Sequence, residues 1–370
     1  MRARVAIVYN EPIPSRYDTV GEEKAVKGVL DAVVAVRRSL LELDCEVTRV
    51  PLTPPFERVV EKLGLKDVDQ VFNLFEGFCG QPETEALVPE YLEGIGIPFT
   101  GCPATALGLC LDKAKVKVLL QAAGIPTPDF QLLNLETLHM FQLSYPCIVK
   151  PRREDASHGI NVASVVNDST SLLSQVKLVS GAYGNSLVEE FINGREFNAT
   201  VIGNSQCSVL PVSEIIYSLP PEMPEILTFA AKWEPDSPYF RGTKVVCPAK
   251  ITAKERENIN KLALAAFRLL GCRGYARVDM RMDREGRLNV IEVNPNPDIS
   301  PDAGAARQAA AAGMDYTCFV EKIVRIALEK EEHGYQDSSF TGKRQAGYNE
   351  NTATYTRVQA VGGGGCRGSH

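Results

Sequence analysis

Histidine is scarce in this chain, with four in all, at positions 139, 158, 333 and 370. They stand too far apart to suggest a metal site, and no Ser-His-Asp arrangement can be read from them. Cysteine is not scarce, but none of the ten forms a C-x-x-C pair, so the usual zinc spacing is missing. Most thiols lie in apolar stretches, as Cys147 does in Tyr145-Pro146-Cys147-Ile148-Val149. They read as small buried hydrophobes in a reducing, cytoplasmic setting. There is no run of about 18 apolar residues, so no membrane-spanning helix is expected. The short apolar run Val5 to Tyr9 leads into polar residues and prolines, which argues against a secretory leader. The formal net charge of -6 gives no general basic footprint, so nucleic acid is not an expected partner. The dinucleotide fingerprint G-x-G-x-x-G is missing as well.

What is present is ordinary globular composition, 44% hydrophobic and 23% charged. The first hundred residues alternate strand and helix signals. Arg4 to Tyr9, Cys45 to Leu52 and Gln70 to Phe75 read as strands. Residues 22–43 and Glu83 to Ile95 read as helices. This βαβαβ rhythm predicts a parallel α/β sheet over residues 1–102. A second block, 103–186, holds a helix from Asp112 to Ala123 and strands at Pro146 to Lys150 and Ile160 to Val166. A third, 187–330, opens on the strand Ser186 to Ile192. It contains a helix starting at Thr252 with Glu255 three residues on, a capping box. Ile259, Leu262, Ala266, Leu269 and Leu270 would be that helix's apolar face. Tyr316, Phe319, Val320, Ile323 and Ala327 give a final helix. Residues 331–370 are polar and glycine-rich and read as a disordered tail.

The densest chemistry lies between Tyr275 and Pro297. Two alternating strands flank Asp283-Arg284-Glu285-Gly286, which reads as a four-residue hairpin turn. In that register Met282 opposes Arg287, Arg277 opposes Glu292, and Asp279 opposes Val290. Period-two alternation then puts Arg277, Asp279, Glu292 and Asn294 on one face. Carboxylate and amide oxygens suit Mg²⁺, particularly when nucleotide phosphates complete the octahedron. A solvated polar face with Arg277 paired to Glu292 is the plain alternative. Lys113 at a helix start and Lys150 at a strand end are candidate phosphate ligands. The loop after Lys150 carries Ser157 and Gly159, whose amides are placed to close over phosphates. Glu189, Glu190 and Glu196 flank Phe191-Ile192-Asn193-Gly194, a strand–turn–strand that could grip an adenine and ribose.

In this order the pieces resemble the ATP-grasp superfamily, and most nearly D-alanine–D-alanine ligases. They are Asp112-Lys113, Ile148-Val149-Lys150-Pro151, Leu187-Val188-Glu189-Glu190-Phe191-Ile192, Gly194-Arg195-Glu196-Phe197, Ala231-Lys232-Trp233, Ala276-Arg277-Val278-Asp279 and Glu292-Val293-Asn294. The resemblance spans nearly all of 1–330 and implies an N-terminal substrate domain followed by two ATP-grasp lobes. It implies that Lys113 and Lys150 contact ATP phosphates and that Lys232 approaches the γ-phosphate. Glu189 and the Ile192 backbone would bind adenine, and Glu196 the ribose. Asp279, Glu292 and Asn294 would hold two Mg²⁺, with Mn²⁺ as a substitute. Arg277 would steady the oxyanion of a tetrahedral intermediate, and Ser157 would serve catalysis in the phosphate loop. The reaction implied joins a carboxylate to an amine through an acyl phosphate. Its partners would be small amino acids or peptides, and the resemblance implies a homodimer. The segment 222–247 around Lys232 is a candidate lid.

The pattern departs from the family where substrates would sit. No Glu-Val-Ser follows Val20, leaving Glu22 and Glu23 as candidates. Ala156-Ser157 stands for paired serines, Trp233 for a tyrosine, and Glu76-Gly77 for His-Gly. Asn294-Pro295-Asn296-Pro297-Asp298 replaces Asn-Thr-x-Pro-Gly, and Ala303 replaces a serine. Three readings follow: a ligase with altered amino-acid specificity, a true D-alanine–D-alanine ligase, or a non-catalytic nucleotide-binding module. Asp298, Asp302 and the lost Ala303 hydroxyl favour a cationic second substrate over D-alanine.

Overall fold

The computed structural model describes residues 2–13, 22–56 and 68–329, with the backbone alone described at 22–27. The tail expected over 331–370 lies outside the described residues. β1 (Arg4–Asn10) is flanked by β2 (Glu46–Leu52) and β3 (Gln70–Leu74), and both pairings are parallel, as the βαβ rhythm predicts. Helix α1 (Glu22–Glu42) makes the first crossover. Alternation along β1 feeds two cores. Val5, Ile7 and Tyr9 share one with α1, while Ala6 and Val8 share the other with α2 (Leu87–Ile95). A strand covered on both faces is why β1 reads as an unbroken apolar run. The helix expected from Glu83 begins only at Leu87, after a single 3₁₀ turn at Pro82–Thr84.

Helices α3 (Ala104–Leu111) and α4 (Lys113–Ala122) meet at Asp112. Asp112 accepts the Lys115 N–H at 3.3 Å, capping α4. Its carboxylate also takes a fork from Arg152, at 2.8 and 2.6 Å, and bonds from Arg153. A four-stranded sheet follows, built from β4 (Phe130–Leu133), β5 (Cys147–Pro151), β6 (Val165–Val166) and β7 (Ser186–Glu190), in the order β4-β7-β5-β6. Helix α5 (Ser169–Tyr183) covers it. The strand expected over Ile160 to Val166 shrinks to two residues. Asn161 instead caps a 3₁₀ turn at Val162–Ser164 through a capping box.

The largest sheet is antiparallel, in the order β11-β10-β8-β12-β13 with β9 beside β8. Its strands are β8 (Arg195–Ile202), β9 (Ser208–Val209), β10 (Ser213–Tyr217), β11 (Thr243–Val246), β12 (Tyr275–Met282) and β13 (Leu288–Asn294). Between β10 and β11 lie the short helices α6 (Phe229–Trp233) and α7 (Pro238–Gly242). Helix α8 (Ala253–Leu269) starts at the expected Thr252–Glu255 capping box. It buries Ile259, Ala263, Ala266 and Phe267, while Leu269 faces out, so the inward stripe differs from the expected one. Helices α9 (Gly304–Ala311) and α10 (Tyr316–Leu328) end the described chain.

Packing cuts across the boundaries expected at 102/103 and 186/187. α3 and α4 share the core of the large sheet, not of the four-stranded one. β7 pairs with β5, so residues 186–190 belong to the preceding sheet. α10 sends Phe319, Val320 and Ile323 back into the first sheet's core. Apolar faces find each other in space, and chain order does not decide their partners.

The β12–β13 hairpin differs from the expected register in an instructive way. Five residues, Asp283 to Arg287, form the turn, so Met282 opposes Leu288. Gly286 takes φ 80°, and Asp283 Oδ1 accepts the N–H groups of Glu285 and Arg287. A second shift comes from a bulge opposite Asp279/Met280, after which Asp279 opposes Glu292 and Arg277 opposes Asn294. Pro126 C=O and the Thr127 hydroxyl satisfy Val290 beside this bulge. Two one-residue shifts preserve parity, so Arg277, Asp279, Glu292 and Asn294 still share a face.

Candidate active site

Lys150 lies near the end of β5 and Glu189 on β7, so the two stand in one sheet. Glu189 Oε1 is 2.5 Å from Lys150 Nζ, and its Oε2 is 2.6 Å from Lys117 Nζ. All three side chains are buried. Lys117 also donates to the Thr127 hydroxyl at 2.9 Å. Burial alone would raise the Glu189 carboxyl, but the two lysines outweigh it and hold it below the usual range.

One turn before Lys117 on α4, Lys113 reaches the other sheet. Its Nζ is 2.7 Å from Glu292 Oε1 and 3.6 Å from Asp155 Oδ1, and it donates to the Glu154 carbonyl at 2.5 Å. Burial pulls the ammonium down, yet Glu292 and Asp155 more than compensate, and the net shift is upward. Partial loss of water would raise Glu292. Lys113 and Lys150 reverse this and bring it down to about 2.

Beside Glu292, Arg277 forks onto Asp279, with Nε–Oδ1 2.7 Å and Nη2–Oδ2 2.8 Å. The plain pairing of Arg277 with Glu292 is thus replaced by an i, i+2 pair on one strand. Asn198 Nδ2 donates to Asp279 at 2.7 Å, and Asn294 Oδ1 accepts the Asn296 N–H at 2.9 Å. The Asp279 and Glu292 carboxylates and the Asn294 amide share this face of the hairpin. They are hard donors that fit a divalent cation such as Mg²⁺. Among the described residues, no three His, Cys, Asp or Glu side chains form a metal cluster by themselves.

Glu196 on β8 accepts from Arg281 at 3.0 Å and from the Tyr217 hydroxyl at 2.8 Å. Crowding raises it, though Arg281 opposes the shift. Lys232 on α6 lies over this face. Loss of water, then the Arg277 guanidinium, push its ammonium down to about 8, against the pull of Glu292, Asp279 and Glu196. The loop after β5 bends through three left-handed residues, Ala156 (φ 53°), Ser157 (φ 66°) and Gly159 (φ 73°). A Cβ at Gly159 would fall 2.7 Å from Pro151 Cγ, so glycine is required there. Consecutive turn amides of this kind form anion-binding concavities.

Some expected residues are not brought in. Glu190 follows Glu189 on β7 and by alternation faces the other way, where it accepts from the Ser144 N–H at 3.4 Å. Ile192, by contrast, stays beside the site, on the partly buried link from Glu189 on β7 to Glu196 on β8. Glu22 and Glu23 open α1, but their side chains lie outside the described residues. Ala303 caps α9 without a side-chain bond. Asp298 binds the Ser300 N–H at 2.8 Å and hydroxyl at 2.6 Å, while Asp302 accepts from Arg307 only through its carbonyl. Partial loss of water, then the charge of Asp298, push the exposed Glu76 up to about 7. Nearby Glu85 is raised well above the carboxylate range, chiefly by burial and then by Asp155, although Asn296 Nδ2 donates to it at 2.5 Å. Lys117, Arg281 and Glu85 went unread in the sequence. Spacing would have found the first two, since Lys117 is i+4 from Lys113 on a helix and Arg281 continues the Arg277, Asp279 alternation.

A profile described as D-ala D-ala ligase C-terminus matches residues 119–325. An uncharacterized protein, y4sG, of Sinorhizobium fredii is 36% identical over 260 residues, 70% of this chain and 74% of its own length. A D-alanine–D-alanine ligase of Alcanivorax borkumensis is 31% identical over 281 residues, 75% of this chain and 83% of its own. Among solved structures, the D-alanine–D-alanine ligase of Bacillus anthracis complexed with ATP superposes with a TM-score of 0.68 at 24% identity, covering 89% of this chain and 97% of that one.

Proposed function

Because this chain belongs to the D-alanine–D-alanine ligase family of ATP-grasp carbon–nitrogen ligases, we propose that it activates a carboxylate with ATP and transfers the acyl group to an amine. What carries the reading is the Lys113–Glu292 contact, 2.7 Å between the start of α4 and β13 of the large sheet. It places a phosphate-type lysine against a metal-type carboxylate, with Arg277 and Lys232 alongside. Lys150, Lys113 and the Ser157–Gly159 amides would hold phosphates. An ammonium has three donors, so the Glu189 pairing leaves that role open for Lys150, whereas Lys113 would have to exchange one of its three partners, Glu292, Asp155 or the Glu154 carbonyl. Glu189 and the Ile192 backbone would face adenine, and Glu196 the ribose. Asp279, Glu292 and Asn294 would hold one or two Mg²⁺, which neutralise phosphate charge when bound. Lys232 would grip the γ-phosphate, and Arg277 the oxyanion formed when the amine attacks. ADP release against a panel of amino acids tests the reading. No release with any acceptor, despite ATP binding, would instead favour a nucleotide-binding module.

The second substrate is proposed to be cationic. The observation that favours this is a chain of neighbouring carboxylates that reaches Arg277 only at Asp298: beyond partial loss of water, Asp298 raises Glu76, and Asp155 and then Glu76 raise Glu85. A bound ammonium would relieve that repulsion, and an extra carboxylate would worsen it. Asp302 stays at the surface and takes no part. Basic amino acids or diamines should outcompete D-alanine as acceptors, and Asp298→Gly should narrow the gap. If D-alanine is preferred by the unaltered enzyme, a true D-alanine–D-alanine ligase is the better reading.

The pH profile gives a separate check. Lys232 loses its charge as pH rises through about 8. If the ammonium is what grips phosphate, kcat/KM for ATP should fall about tenfold per pH unit above that value. Lys232→Arg, which stays charged, should remove that limb. A limb that persists in Lys232→Arg must belong to another group.

A further inference from the structure

The loop carrying Ser157 and the lid helix carrying Lys232 touch each other directly. The His158 imidazole lies against the Phe229 ring, with centroids 5.0 Å apart and planes tilted by 38°. The Phe229 N–H points to the Ile160 carbonyl at 3.4 Å, so backbone and ring contacts coincide. His158 is itself pinned to its loop, since its N–H donates to the Asp155 carbonyl at 3.0 Å and Nδ1 stands 3.0 Å from the same oxygen. Phe229 is buried and opens α6 just after its N-cap, Thr228. Lys232 is three residues further along α6, on the same side of the helix as Phe229. At the other end of α6, a Cβ on Gly28 of α1 would lie 3.9 Å from the Trp233 ring. The helix therefore touches the loop carrying Ser157 at its start and passes close to α1 at its end.

We propose that the His158–Phe229 contact sets the position of Lys232 over the phosphate loop, which makes His158 a positioning residue for nucleotide closure. The inference rests on the ATP reading above. The loop already stores strain at Ala156 and Ser157, two L-residues in the left-handed region. A loop in that state needs outside contacts to hold its shape, and Phe229 supplies one. Conversely, α6 has only five residues and depends on tertiary contacts for its existence.

Trp233 is the chain's single tryptophan, so its emission reports on α6 without any need for turnover. AMP-PNP with Mg²⁺ is titrated into the full chain, its His158→Ala and His158→Phe variants, and Phe229→Leu with the double variant. An edge or tilted aromatic pair of this kind corresponds to about a 3- to 10-fold shift in the titration midpoint when it is lost. His158→Ala should show that shift and His158→Phe should not. The double variant should be no worse than either single change. Coincident curves for His158→Ala and the unaltered chain would overturn the proposal, as would a His158→Phe variant as impaired as His158→Ala. Calorimetry of AMP-PNP binding to the unaltered chain separates the two levels. No binding overturns the ATP reading and this inference with it, whereas binding without a Trp233 response overturns this inference alone.

Discussion

An Arg277→Met protein is expected to lose about 10²–10³ in turnover while its ATP affinity changes only a few-fold, the usual signature of a removed oxyanion donor. Arg277 is held by its fork onto Asp279, and that fork fixes where the remaining guanidinium edge can point. Arg277→Lys keeps the charge but loses the planar fork, so it should recover only part of the rate. A second signature comes from electrostatics. Arg277 is one of the groups pushing Lys232 down. Removing it should move the alkaline limb of the ATP profile upward from about 8. Single-turnover ADP formation, calorimetry with AMP-PNP and the pH profile together decide the point. If ATP affinity falls in step with turnover, Arg277 serves ground-state binding and the oxyanion role is wrong.

How much of this was readable in advance depends on which force set each feature. β1, β3 and the capped helix α8 were legible because burial and capping act locally and leave a periodic trace. The face bearing Arg277, Asp279, Glu292 and Asn294 survived two register errors, because each slip was one residue and their sum was even. The bulge that caused one slip is tied to Pro126 and Thr127, more than 150 residues earlier in the chain, and no local pattern announces it. Glu85 was invisible for the same reason, since its neighbours Asn296 and Asp155 come from distant loops. Block boundaries failed where an element's apolar face went to a non-neighbouring sheet, as with α3, α4 and α10.

The largest effect on stability is expected at Glu189. Its carboxylate stands between Lys117 and Lys150 with all three side chains nearly free of solvent, at 2%, 1% and 5% exposure. Charge counting makes the outcomes unequal. The intact trio carries one net positive charge. Glu189→Leu leaves two buried ammonium groups facing each other, and stranding buried charge in this way costs about 3–5 kcal/mol. Lys117→Met leaves a neutral Lys150–Glu189 pair, so its loss should be clearly smaller, even though Thr127 forfeits a donor. The double change Glu189→Leu with Lys117→Met removes the repulsion and should recover part of the deficit. Nucleotide phosphates bring negative charge toward Lys150, so AMP-PNP should raise the unfolding midpoint of the intact protein through binding linkage. Urea unfolding of the four proteins, with and without AMP-PNP, measures each quantity. Equal losses for Glu189→Leu and Lys117→Met would show that packing around the trio, rather than its charge balance, is what the fold depends on there.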